Sequence, residues 1–266
     1  MSASSHGLPR RIGWGISDTA VLTWRNLLRV RRNPLFLATE VVIQPVLFTL
    51  LFAYIFGGAI HVPGFSYLDF LMPGIFVQTI TFGAMNTAVG LAEDLEKGLM
   101  DRFRSLPVAS WAMPVARVAA DLVLDAFGLG LMVAVASAIG FRFHGDLAQA
   151  LAAMGVVVLW GFSIACFGAL LGVFLRRTST VQAFGFVAMF PLTFASSTFV
   201  PVQTMPGWLR AFSSHSPITA VVDAARHLIL NTPGGEGSVA AAVAWSLAVL
   251  GVSAPLAAYG FRRLTR

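Results

Sequence analysis

Glu93-Asp94-Leu95-Glu96-Lys97-Gly98-Leu99-Met100-Asp101-Arg102-Phe103 is a polar island set between two apolar stretches, each long enough to cross a bilayer. It holds four of the chain's twelve carboxylates and its only lysine. Charge this dense beside a bilayer must sit in water on one side, because ionised groups are costly in hydrocarbon. Leu95, Leu99, Met100 and Phe103 alternate with the charges and give the island an apolar face to present to something. The pattern is that of a docking element on an integral membrane protein.

The rest of the chain has the matching composition. Hydrophobic residues make up 57% and charged residues 11%, where a soluble domain carries roughly a quarter charged. The charges are gathered between long uncharged runs, which gives six candidate spans near or above the roughly 20 residues a crossing helix needs. They are Leu35–Ile60, Phe70–Ala92, Val115–Gly140, Leu147–Leu175, Thr178–Val200 and Val239–Phe261. Fifteen of the eighteen basic residues fall before the first span, in the second-to-third and fourth-to-fifth connections with their flanks, or in the tail. Arg142, Arg210 and Arg226 alone fall on the other side. The excess of Lys and Arg marks the cytoplasmic side, so both termini and the island are expected there. The net charge of +6 then reflects topology and anionic-lipid contact and calls for no nucleic acid. A single cysteine, Cys166, leaves no internal disulfide and no cysteine-based metal cluster. The first apolar run is too long and begins too late for a cleavable signal peptide.

Between Ser17 and Arg32 the spacing predicts an amphipathic helix, capped by Ser17 or Asp18, with Val21, Trp24 and Leu28 on one face and Arg25, Arg29 and Arg32 on another. Such a helix lies in the headgroup plane, and Asn33-Pro34 ends it. In the first span Glu40 lies near the cytoplasmic end and Pro45 is expected to kink the helix. The second span carries Gln78, Thr79, Thr81, Asn86 and Thr87, more polar groups than a lipid-facing helix uses, as interhelical glue or as contacts to a substrate. Arg117, Asp121 and Asp125 come next at i, i+4, i+8 on one face of the third span. Intramembrane charge points to function, but Arg117 can pair with Asp121, so an ion pair and a transport role both stand. From Thr178 to Leu209 the chain is uncharged and too long for one span, and Pro201, Pro206-Gly207 and Ser216-Pro217 break the region between the fifth and sixth spans. The expectation is one or two short re-entrant or interfacial helices on the outer side, with an amphipathic helix over 218–230. No internal repeat and no separate soluble domain is visible, so residues 1–266 form one membrane domain.

Several chemistries find no residues. No G-x-x-x-x-G-K-[ST] loop exists, since Lys97 is followed by Gly98, and no H-E-x-x-H, G-x-S-x-G or Cys/His metal spacing occurs. His6, His61, His144, His215 and His227 are scattered over the chain without a clustered nucleophile. The chain itself is therefore not expected to be an enzyme. An ion-driven secondary transporter would place carboxylates near the bilayer midplane and relate two halves by a repeat; Glu40, Asp121 and Asp125 sit nearer the cytoplasmic surface. A scaffold without transport is the remaining alternative.

From Glu93 to Ser110 the chain reads E-D-L-E-K-G-L-M-D-R-F-R-S-L-P-V-A-S. This stretch resembles the membrane subunit of type-2 ABC exporters, in particular the daunorubicin-resistance permease branch. Arg25-Asn26-Leu27-Leu28-Arg29 before Asn33-Pro34, and Gly140-Phe141-Arg142-Phe143-His144, agree with it as well. The resemblance implies a plasma-membrane permease of six spans that pairs with a separate ATPase subunit, which binds the ATP and magnesium. Two permeases, identical or homologous, and two ATPases would form an exporter of a hydrophobic or amphipathic drug, antibiotic or lipid. Contact with the ATPase is implied for the N-terminal amphipathic helix, with Trp24, Arg25 and Arg29, and for a coupling helix between spans two and three, with Glu93, Glu96, Lys97, Gly98, Asp101, Arg102, Phe103 and Arg104. The broken outer segment matches the re-entrant helices before the last span. On that basis the route runs between the first, second and fifth spans of facing subunits, and Phe76, Gln78, Met85, Phe184, Phe186 and Phe190 are candidates for touching cargo, because aromatic and methionine side chains adapt to varied apolar shapes; packing against neighbouring helices is the alternative for each.

Overall fold

A computed structural model describes residues 18–28, 32–56, 64, 66–98, 112–232 and 235–265. These residues are helices and short connections, with no strand among them. Helix α1 covers residues 18–28. A first apolar arm comes after it as α2 (Pro34–Phe36), a π-helical run (Leu37–Ile43) and α3 (Gln44–Phe56). Next are α4 (Tyr67–Glu96), α5 (Ala112–Ala138), α6 (Leu147–Leu175) and α7 (Thr178–Phe194). After a 3₁₀ turn (Val202–Thr204), α8 (Gly207–Ser214), α9 (Pro217–Leu230) and α10 (Glu236–Thr265) complete the chain. Among the described residues, four helices, α4, α5, α6 and α10, are long and apolar enough to cross a membrane, while α3 and α7 are apolar but shorter. These six elements occupy the six stretches that composition singles out.

Two of the six differ from the sequence expectation. Where a kink at Pro45 is expected, the backbone widens into a π-helix over Leu37–Ile43 just before Gln44-Pro45. Proline has no N–H to give to the preceding turn, and a widened turn absorbs the missing bond. The fifth apolar stretch runs as far as Val200, but α7 stops at Phe194. Ser196, Ser197 and Thr198 are buried and turn their hydroxyls to other partners: Ser196 Oγ donates to Thr193 O at 2.5 Å, and Ser197 Oγ donates to Asp223 Oδ1 at 2.7 Å. Hydroxyl side chains that bond locally compete with the helical ladder. Beyond them, the prolines at 201, 206 and 217 sit before the 3₁₀ turn, before α8 and at the first position of α9, where a missing N–H costs least.

Helix α4 is the axis of the bundle, with twenty of its thirty residues buried. Its start is fixed by Ser66, whose Oγ accepts from Asp69 N–H at 3.1 Å. Thirty residues make a helix about 45 Å long, longer than a hydrocarbon core of about 30 Å, and its last turn holds Glu93–Glu96. Helix α6 begins with a capping box in which Asp146 and Gln149 satisfy one another's backbone N–H, and it ends on Arg176 at φ 58°.

The tightest seam joins α4 to α6. A Cβ on Gly172 would come within 2.6 Å of Ala88 O, and one on Gly168 would overlap Ala84 O. Small residues four apart on both helices let the backbones touch, which is how helices gain dispersion energy where lipid competes for every apolar side chain. Above this seam lies the larger core, where Phe76 meets Phe141 edge-to-face at 5.9 Å and Trp160 Nε1 donates to Thr81 Oγ1 at 2.8 Å. Helices α9 and α10 close that core with Ile218, Val221, Ile229 and Ala242.

Candidate functional site

A cavity of about 390 Å³ opens between α3, α4, α5 and α7. One wall is aromatic. Phe186 and Phe190 stack at 5.3 Å between ring centroids, Phe190 and Phe194 at 4.2 Å, and Phe194 and Phe199 at 4.8 Å. Phe199 stacks on Phe52 at 4.5 Å, and Phe52 on Phe48 at 5.9 Å, so the rings form one ladder from α7 to α3. The i, i+4 spacing of Phe186, Phe190 and Phe194 puts all three on one face of α7.

The opposite wall is polar and comes from α4 and α5. Arg117 Nε lies 3.0 Å from Asp121 Oδ2, the same oxygen accepts from Thr87 Oγ1 at 2.7 Å, and an Arg117 guanidinium nitrogen donates to Asn86 O at 3.1 Å. The guanidinium crosses α4 at Gly90, where any Cβ would collide with it. One turn further along α5, Asp125 packs against Gly83, and among the described residues its carboxylate makes no hydrogen bond. Gln78 is 3% exposed and lines the same cavity, and its Oε1 has no partner among the described residues. A buried amide oxygen left unbonded costs about 1–3 kcal/mol, so the cavity offers two acceptors, Gln78 Oε1 and the Asp125 carboxylate, to whatever enters. This set suits a flat apolar body carrying a hydrogen-bond donor.

Of the six candidate cargo contacts, Gln78, Met85, Phe186 and Phe190 line this cavity. Phe76 instead is wholly buried in the larger core, and Phe184 stands half-exposed on α7 outside the lining. Asp121 and Asp125 face the cavity, while Glu40 falls in the π-helical run. Thr23 Oγ1 of α1 donates to Thr19 O of its own helix at 2.8 Å and lies 3.4 Å from Ala116 O of α5, and Trp24 and Arg25 are exposed. At the end of α4, Lys97 pairs with Glu93 at 3.0 Å, and Gly98 turns the chain at φ 62°. Glu96 faces elsewhere: its Oε1 accepts from Thr178 N–H at 3.0 Å and its Oε2 from Thr178 Oγ1 at 3.1 Å. Arg29, Asp101, Arg102, Phe103 and Arg104 lie outside the described residues.

Sequence reasoning missed a second polar centre at the far end of α4. Arg226 of α9 donates to Phe70 O at 3.1 Å, Ser197 O at 3.0 Å and Asp223 Oδ1 at 3.0 Å, and covers the Phe70 ring at 3.7 Å. Burial pushes its guanidinium down to about 10, which leaves it cationic at neutral pH. The available signal was an Asp and an Arg three residues apart in an otherwise apolar helix; their partners on α4 and after α7 were not legible.

A family model described as "ABC-2 type transporter" matches residues 17–230. The chain is 32% identical over 241 residues to "Daunorubicin resistance ABC transporter permease protein DrrB1" of Streptomyces coeruleorubidus, covering 91% of this chain and 84% of that one. It is 25% identical over 249 residues to "Probable doxorubicin resistance ABC transporter permease protein DrrC" of Mycobacterium tuberculosis (strain ATCC 25618 / H37Rv), covering 93% and 89%. A third relative, "Probable multidrug ABC transporter permease YbhR" of Escherichia coli (strain K12), is 26% identical over 204 residues, which is 76% of this chain and 54% of that one.

Proposed function

The chain belongs to the ABC-2 type transporter family, and from this premise we propose that it is the membrane permease subunit of an exporter that carries hydrophobic or amphipathic compounds, drugs among them, out across the plasma membrane. A separate ATPase subunit binds ATP and magnesium, and two permeases, either two copies or a homologous pair, form the route. In this reading the chain crosses six times, with α3 and α7 as the first and fifth crossings, α8 and α9 at the outer surface, and both termini in the cytoplasm. The charged segment from Glu93 to Arg104 and the exposed face of α1 with Trp24, Arg25 and Arg29 meet the ATPase.

The observation that carries the cargo assignment is the cavity with an aromatic ladder on one wall and unbonded acceptors on the other. Ligand sites are mostly apolar with a few placed polar groups, and rings that slide past one another accommodate cargo of varied shape.

The test is reconstitution in sealed vesicles with the ATPase that co-purifies with the permease. Daunorubicin is the fluorescent probe. Uptake into inside-out vesicles should require hydrolysable ATP and should persist when proton and sodium gradients are collapsed. Uptake that tracks an imposed ion gradient without ATP would establish the ion-driven alternative instead. Reversing Asp101 and Arg102 together should release the ATPase while leaving the permease folded and inserted.

A further inference from the structure

We propose that Glu96 is a positioning residue, a latch that fastens the start of α7 to the end of α4, so that displacement of the adjoining charged segment is delivered to the aromatic wall of the cavity. The inference rests on reading the rest of the 93–104 segment, Glu96 apart, as the ATPase contact. It concerns where that contact sends its movement.

The geometry carries three points. First, α7 begins without a cap of its own: Arg177 occupies the capping position in extended backbone and makes no side-chain bond to the first turn. The first N–H groups of any helix lack intrahelical partners, and here Glu96, 82 residues away in sequence, supplies both acceptor oxygens to Thr178. A carboxylate at a helix N-terminus is also favoured by the helix dipole. Second, Glu96 is the last residue of α4, and the chain turns at Gly98 into the charged segment. The latch therefore sits at the junction between that segment and the bundle. Third, α4 and α7 stay in contact below it. Val181 is buried with Ala88 and Ala92, and the end of the Met85 side chain lies against Gly185. The next residue, Phe186, begins the aromatic wall.

The contact is exposed, and exposed charged contacts contribute little to stability. Its loss should leave the permease folded while severing the movement, and this separates a latch from a merely structural cap. Thr178 allows a clean cut. It is the first residue of α7, where proline is tolerated, and Arg177 before it already has the extended backbone that proline demands. Thr178→Pro removes both donors and keeps the helix start.

The experiment uses the full permease with its co-purifying ATPase, in a Cys166→Ser background, with spin labels at the exposed positions Val187→Cys on α7 and Val123→Cys on α5. The label distance is read before and after trapping with ATP and vanadate, so no cargo need be known. The parent should show a nucleotide-dependent shift. Thr178→Pro and Glu96→Ala should each cut the shifted population on the order of tenfold, within the usual span of coupling energies. Both should keep the ATPase bound, and the double variant should be no worse than either single one. Glu96→Gln, with one acceptor oxygen left, and Thr178→Val, with the N–H left, should fall between. A full shift in Thr178→Pro overturns the proposal, as does the absence of any shift in the parent. So does loss of the ATPase from Glu96→Ala but not from Thr178→Pro, which would make Glu96 a docking residue. Failure of Glu96→Ala and Thr178→Pro alike to fold would reduce the contact to a structural cap and overturn it too. The underlying reading fails separately, when reversing Asp101 and Arg102 leaves the ATPase bound.

Discussion

At the scale of single residues, the two carboxylates on one face of α5 have different tasks despite standing one turn apart. Asp121 is held by Arg117 and Thr87, whereas Asp125 packs against Gly83 and makes no hydrogen bond among the described residues. Asp121→Asn should lower the thermal stability of the purified permease by about 2 kcal/mol, the scale of a charge-assisted hydrogen bond, with Arg117 left short of its partner. Asp125→Asn should melt like the parent and lower transport of cationic relative to neutral aromatic probes by about tenfold, the equivalent of one charged hydrogen bond near 1.5 kcal/mol. Equal loss for both probes, tracking the amount of folded protein, would make Asp125 a packing residue. Local spacing made the Arg117–Asp121 pair legible in the sequence, because residues i and i+4 on a helix must meet. The Glu96–Thr178 contact was not legible, since nothing local links positions 82 apart, and the acidic island made Glu96 look like one more outward charge.

At the scale of elements, the runs of apolar residues set the helix positions, and the prolines set the short outer helices. The runs could not reveal which face each helix turns inward. Phe76 and Phe186 are both aromatic residues in apolar stretches, yet one is sealed against Phe141 and the other stands at the cavity. The α4–α6 seam depends on such a face. Gly172→Leu should force the helices apart and cost about 1–3 kcal/mol or more, as overpacking does, seen as a lower melting temperature and a poorer yield of inserted protein. Phe186→Ala should leave both unchanged while shifting the order of preference among cargos. A Phe186→Ala protein that loses stability as Gly172→Leu does would show that the aromatic ladder is a strut.

At the scale of the whole molecule, the proposed six crossings place the Ser66 end of α4 outside and the Lys97 end inside. In a Cys166→Ser background, Ser66→Cys and Ser214→Cys, both exposed positions, should react with a membrane-impermeant thiol reagent applied to intact cells. Lys97→Cys should react only after permeabilisation. Labelling of Lys97→Cys in sealed cells would invert the topology, and with it the side on which the ATPase must dock. Helix α4 also divides the bundle into two kinds of territory. One face carries Ala84 and Ala88, closed against the glycines of α6, and another carries Gln78, Phe82 and Met85, open to the cavity. In evolutionary terms the first face is nearly closed to drift, because even an added methyl on the facing glycines has no room. The second can change side chains without disturbing the seam, so a lineage can trade one cargo for another while keeping the same scaffold.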